Sequence, residues 1–82
     1  MAQVMYEKQV KIVQAVLKEF AEQAPDAYSY ISNEAKAGAT GLEYYGMLRK
    51  ATNEAFKNEL IPKELKSKVK AIDAAVHYMY TS

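Results

Sequence analysis

The chain has no cysteine, no tryptophan and only one histidine, His77. Without thiols there is no disulfide to staple the fold, and no thiolate to bind metal or attack a substrate. The absence also fits a reducing compartment. No apolar run approaches the roughly 20 residues that a membrane-spanning helix needs. The start, Met1-Ala2-Gln3-Val4-Met5-Tyr6-Glu7-Lys8, lacks the basic opening and apolar core of a secretion signal. These absences lead us to expect a complete small gene product, cytoplasmic, with no membrane partner. Glycine is scarce, and Gly38, Gly41 and Gly46 match no phosphate-cradling spacing. Neither Ser29, Ser32, Ser67 nor Ser82 sits in a nucleophile-elbow pattern. No catalytic residue, cofactor site or metal site is assigned, and an enzyme is not expected.

Charge of one sign is also missing. Eleven basic and ten acidic residues leave a formal net charge of +1 across 82 residues. That balance gives no global pull toward nucleic acid or an anionic membrane, so an electrostatic partner must read a local patch. The length suits one domain, and a domain this small buries only about 60% of the surface its unfolded chain exposes. Hydrophobic residues make up 50% of the chain, which argues against disorder.

Those apolar residues fall on helical spacings. Tyr6, Val10, Val13, Leu17, Phe20 and Ala24 alternate steps of four and three, with Ile12 and Val16 beside them. The arc of roughly 160° is wider than a coiled-coil seam, so a first helix over residues 4–23 touches more than one neighbour. Pro25 ends it by disfavouring helical backbone at Ala24. A short second helix, 27–37, is predicted with Asp26 as N-cap, Tyr28, Ile31 and Ala35 as its apolar members, Tyr30 alongside, and Gly38 as its left-handed stop. Thr40-Gly41-Leu42-Glu43 fits a capping box opening a third helix, 41–58. Its apolar face reads Leu42, Tyr45, Leu48, Thr52, Ala55 and Phe56, with Gly46 opposite, either admitting another backbone or merely tolerated. Pro62 suits the first turn of a fourth helix, 62–80, whose stripe is Leu65, Val69, Ile72, Val76 and Met79. No strand-like alternation is present. The expectation is an all-α single domain: a small bundle of three long helices and one short one, with sequential helices antiparallel across short loops.

Three features remain for function. His77 lies four residues after Asp73, a spacing that would supply half a metal site but finds no second pair, so a surface ion pair is the expected role. Tyrosine is abundant, with seven residues. Tyr6 and Tyr45 read as core residues with wetted hydroxyls. The pairs Tyr44/Tyr45 and Tyr78/Tyr80 diverge by about 100° and 160°, so one of each is exposed. Exposed tyrosine is favoured where proteins meet, and Tyr28, Tyr30, Tyr44, Met47 and Tyr78 are the interface candidates. Finally, Lys63, Lys66 and Lys70 share roughly 60° of arc opposite the apolar stripe. Lys57 precedes them, and Arg49 and Lys50 form a looser set on the third helix. Such a stripe is either a solvated face or a contact for phosphates or an acidic partner.

The run Glu54-Ala55-Phe56-Lys57-Asn58-Glu59-Leu60-Ile61-Pro62-Lys63-Glu64-Leu65, followed by a Lys-rich helix ending Ala75-Val76-His77-Tyr78, resembles the small helical double-stranded-DNA-binding proteins of T-even-type phages. The resemblance spans residues 42–80 and departs at Ile61-Pro62, where that family has a glycine-containing loop. It implies nucleic-acid binding through the lysines. The residues themselves favour a small regulatory or protein–protein interaction module, phage- or plasmid-encoded, whose partner is another protein or a second copy of itself.

Overall fold

The computed structural model describes residues 6–36 and 41–81. Its elements are α1 (Glu7–Gln23), α2 (Pro25–Lys36), α3 (Gly41–Lys57), a single 3-10 turn (Lys63–Leu65) and α4 (Lys66–Thr81). There is no strand among the described residues. Among the described residues no helix is long and apolar enough to cross a membrane. The capping box at Thr40, the stop at Gly38, and the outer ends of the first two expected helices, at residues 4, 5 and 37, lie outside the described residues.

One residue separates α1 from α2. Pro25 drives Ala24 out of the helical region, to φ −144° and ψ 66°. The Ala24 N–H still donates to the Phe20 carbonyl, and the Ala24 carbonyl accepts from Tyr28 N–H, so both helix ends close on this residue. Asp26 was expected to cap α2, but the helix already begins at Pro25. Proline has no N–H to leave unpaired at a first helical position and its φ is pre-set. Asp26 therefore falls inside the first turn, where the helix dipole favours a negative charge.

The core draws on every helix. Val13, Val16 and Phe20 come from α1, and Ala27, Ile31 and Ala35 from α2. Leu48, Ala51 and Ala55 come from α3, and Val69, Ile72, Val76 and Met79 from α4. Each large side chain among them contributes about 1.5–3 kcal/mol by leaving water. Two sequence readings change. On α2 the buried member is Ala27, while Tyr28 is exposed; on α3 Ala51 is buried, while Leu42 is exposed. Small residues, Ala27 and Ala35 on α2 and Ala51 and Ala55 on α3, fill buried positions that a scale rewarding bulk passes over. Thr52 is fully buried, and its hydroxyl donates to the Leu48 carbonyl at 2.7 Å.

The helices pack in a ring, α1 on α2, α2 on α3, α3 on α4 and α4 on α1. Arg49 and Asn53 meet Asp73, and Leu42 meets Tyr80, so α3 and α4 run in opposite senses. Tyr6 meets Tyr78 while Glu19 lies near Lys68, which sets the same opposition for α1 and α4.

The α3–α4 reversal is built by hydrogen bonds from Leu60 N–H to the Ala55 carbonyl and from Glu59 N–H to the Phe56 carbonyl. This is a Schellman end, which places Glu59 in the left-handed region at φ 66°. Pro62 stands just outside the following helix, at ψ 148°, instead of in its first turn, and its carbonyl accepts from Leu65 N–H. Ile61 is buried and anchors the turn. A left-handed non-glycine residue costs about 1–2 kcal/mol, partly offset by the entropy a glycine would lose on folding. Replacing Glu59 with glycine therefore raises stability by about 0.5–1 kcal/mol in urea unfolding, whereas Glu59→Ala, which keeps the β-carbon, brings no such gain.

Candidate functional site

The antiparallel α3–α4 pair has two chemically distinct ends, joined by a polar clamp.

Tyrosine gathers at the first end, where α3 starts and α4 finishes. The Tyr6 and Tyr78 rings meet edge to face with centroids 6.5 Å apart. Tyr44 and Tyr45 do the same at 5.1 Å. The Tyr80 hydroxyl donates to the Leu42 carbonyl at 2.7 Å. Burial raises the Tyr45 phenol above its ordinary pKa, with Tyr44 adding to the shift. Tyr78, Tyr80 and Leu42 are 52%, 51% and 41% exposed, so the end presents apolar surface to water. Gly46 lies beneath Tyr80: a β-carbon there would collide with the Tyr80 hydroxyl and stand 3.2 Å from its Cζ. What approaches this glycine is thus an aromatic side chain and not another backbone.

In the middle, Arg49 Nε donates to Asp73 Oδ1 at 2.7 Å and Asn53 Nδ2 donates to the same oxygen at 3.2 Å. The Arg49 hydrogen bond holds the Asp73 carboxyl below the usual carboxylate range, against an opposing push from burial. This corrects the expected Asp73–His77 pair. The partner across the helix interface supplies a charged donor at hydrogen-bonding distance, and His77 is left exposed. No three His, Cys, Asp or Glu side chains converge as a metal site among the described residues.

At the second end, Lys57, Lys63, Lys66 and Lys70 are all exposed, and none joins an ion pair among the described residues. Lys63 belongs to the 3-10 turn and not to α4, so its register with Lys66 and Lys70 differs from a continuous helix. The turn encloses an open cleft of about 550 Å³ lined by Phe56, Lys57, Glu59, Ile61, Pro62 and Lys63.

The six basic candidates are therefore not one set. Arg49 is committed to Asp73. Lys50 faces α2, in a shallow groove with Glu34, Met47, Ala51 and Glu54. The interface candidates divide as well. Tyr44 and Tyr78 belong to the tyrosine end, and Tyr28 is exposed on α2. Tyr30 and Met47 lie on the α2–α3 seam, where the Tyr30 hydroxyl donates to Glu54 Oε1 at 2.9 Å. That hydrogen bond, followed by burial and the nearby Glu54 and Glu34 charges, raises the Tyr30 pKa. The sequence reading placed Tyr6 and Leu42 in the core and did not single out Tyr80. The signal that unites them is the pairing of positions 42–46 with 80 across two antiparallel helices, which periodicity within one helix does not carry.

Comparison with family models, with curated proteins and with solved structures gives no match.

Two predictions follow from the clamp and from the glycine. Asp73→Asn costs about 0.5 kcal/mol at neutral pH, the scale of a surface ion pair. Because the folded pKa is depressed, this contribution is present above the unfolded carboxylate pKa near 4 and is lost as pH falls through the folded value. The wild-type advantage over Asp73→Asn in thermal unfolding accordingly vanishes once the pH lies well below the folded value. Gly46→Ala alone changes stability by less than about 0.5 kcal/mol, since a helix-propensity gain near 1 kcal/mol is offset by the displaced Tyr80 hydrogen bond. In a Tyr80→Ala background the same substitution stabilises by about 1 kcal/mol. Equal effects in both backgrounds would show that Tyr80 does not cover Gly46.

Proposed function

We propose that this chain is a small, non-enzymatic protein–protein interaction module, a compact bundle of three longer helices and one shorter, acting through its tyrosine end. The observation that supports the reading is the gathering of five of the seven tyrosines, with Leu42, at one end of the α3–α4 pair. Two of those tyrosines are half exposed. Tyrosine gives a large, rigid contact area with few rotamers to freeze, and its hydroxyl tolerates water before the partner arrives. A regulatory role in the cytoplasm is the setting we favour. A second copy of the chain is the first partner to test, since a net charge of +1 imposes little self-repulsion.

A second reading has its own support. Four exposed lysines free of ion pairs among the described residues suit phosphate contacts, in keeping with the resemblance of residues 42–80 to phage double-stranded-DNA-binding proteins. In a gel shift with duplex DNA this reading requires binding that weakens steeply between about 50 and 200 mM salt.

Sedimentation equilibrium over a wide concentration range, paired with affinity purification, tests the first reading. The expected result is association, with itself or with a partner, that Tyr78→Ala weakens about tenfold while the unfolding midpoint barely moves. A strict monomer whose co-purifying proteins are the same with and without Tyr78 would contradict it.

A further inference from the structure

The turn between α3 and α4 reverses the chain and also shapes a recess with mixed chemistry. Ile61 is buried and Phe56 half-buried, so the floor of the 550 Å³ cleft is apolar. Lys57 and Lys63 stand exposed at its rim, with Glu59 the one acidic residue among those lining it. The recess is open. Its open mouth admits a large side chain projecting from a partner. Beyond the rim, Lys66 and Lys70 continue the positive charge along α4.

The geometry points to a docking site for an acidic protein segment carrying one bulky apolar residue. The apolar side chain fills the cleft against Phe56 and Ile61. Carboxylates on either side of it meet Lys57 and Lys63, and further carboxylates follow Lys66 and Lys70. The apolar floor is the discriminating feature. A phosphate backbone would use the lysines and leave the exposed part of Phe56 wet, whereas this segment satisfies both. Glu59 carries the same sign as the partner and limits its affinity, so removing that charge tightens the complex. The site lies at the opposite end of the α3–α4 pair from the tyrosine surface, and either can fail without the other.

The experiment uses a labelled Asp-Glu-Phe-Glu-Asp peptide, the same peptide with serine in place of phenylalanine, and a short DNA duplex. Fluorescence polarisation gives affinities, and amide chemical shifts of the full chain locate binding. The phenylalanine peptide is expected to bind with sub-millimolar affinity, at least about fivefold tighter than the serine peptide, with shifts concentrated at residues 56–63. Combining Lys57→Ser with Lys63→Ser, both exposed and tolerable to the fold, weakens it about tenfold, while Glu59→Gln tightens it about twofold. Equal binding of the two peptides would overturn the proposal. So would a duplex that binds more tightly than the phenylalanine peptide and shifts Lys66 and Lys70 without Phe56 and Ile61, or no saturation at about 1 mM peptide.

Discussion

The antiparallel closure of α3 on α4 is the constraint on which the rest of the molecule depends. A reversal capped by left-handed Glu59 and anchored by buried Ile61 sets the register of the two helices. In that register Val69, Ile72, Val76 and Met79 turn into the core. They meet α1 on one side and α3 on the other. The Arg49–Asp73–Asn53 clamp sits outside this apolar contact and is more than a third exposed at Asp73. It contributes little energy at such exposure, but its geometry suits only one register. Apolar burial supplies the stability, and the polar groups select among alignments that burial alone would leave close in energy.

Polarity of the molecular surface follows from the same register. Running α4 back along α3 places its last turn over the first turns of α3, so Tyr80 comes to Leu42 beside the Tyr44–Tyr45 pair, while Tyr78 meets Tyr6. It also leaves the start of α4 beside the end of α3, so Lys63 comes to Lys57 at one cleft. Each group is dispersed along the chain and gathered only by the fold. With a net charge of +1 the whole molecule is nearly neutral, yet one end offers aromatic area and the other offers ammonium groups around an apolar recess.

Much of the scaffold was legible in the sequence. The stripe Leu65, Val69, Ile72, Val76 and Met79 is buried throughout. It is readable because β-branched and long apolar residues alternate with lysines at helical spacing. Tyr28 and Ala27 show where such reading fails. Adjacent residues point about 100° apart, and the bulkier one drew the assignment although it is Ala27 that the core buries. Asp26 failed differently, because proline can itself open a helix. The candidate site was least legible. Arg49 reads as a free cation until α4 brings Asp73 to it, and Leu42 reads as core until Tyr80 comes to its carbonyl. Such facts belong to pairs of residues far apart in sequence, and a pattern within one helix holds no record of them.

All of this requires Tyr80 to lie across Gly46, because that contact exists only in one α3–α4 register. Nuclear Overhauser effects between the Tyr80 ring protons and the Gly46 α-protons read it directly. The structure predicts clear cross-peaks, with Gly46 α-proton shifts moved by the ring current. A Tyr80 ring with no contact to Gly46 or Leu42, in a chain that is nonetheless folded and helical, would contradict the register and with it the separation of the tyrosine and lysine ends.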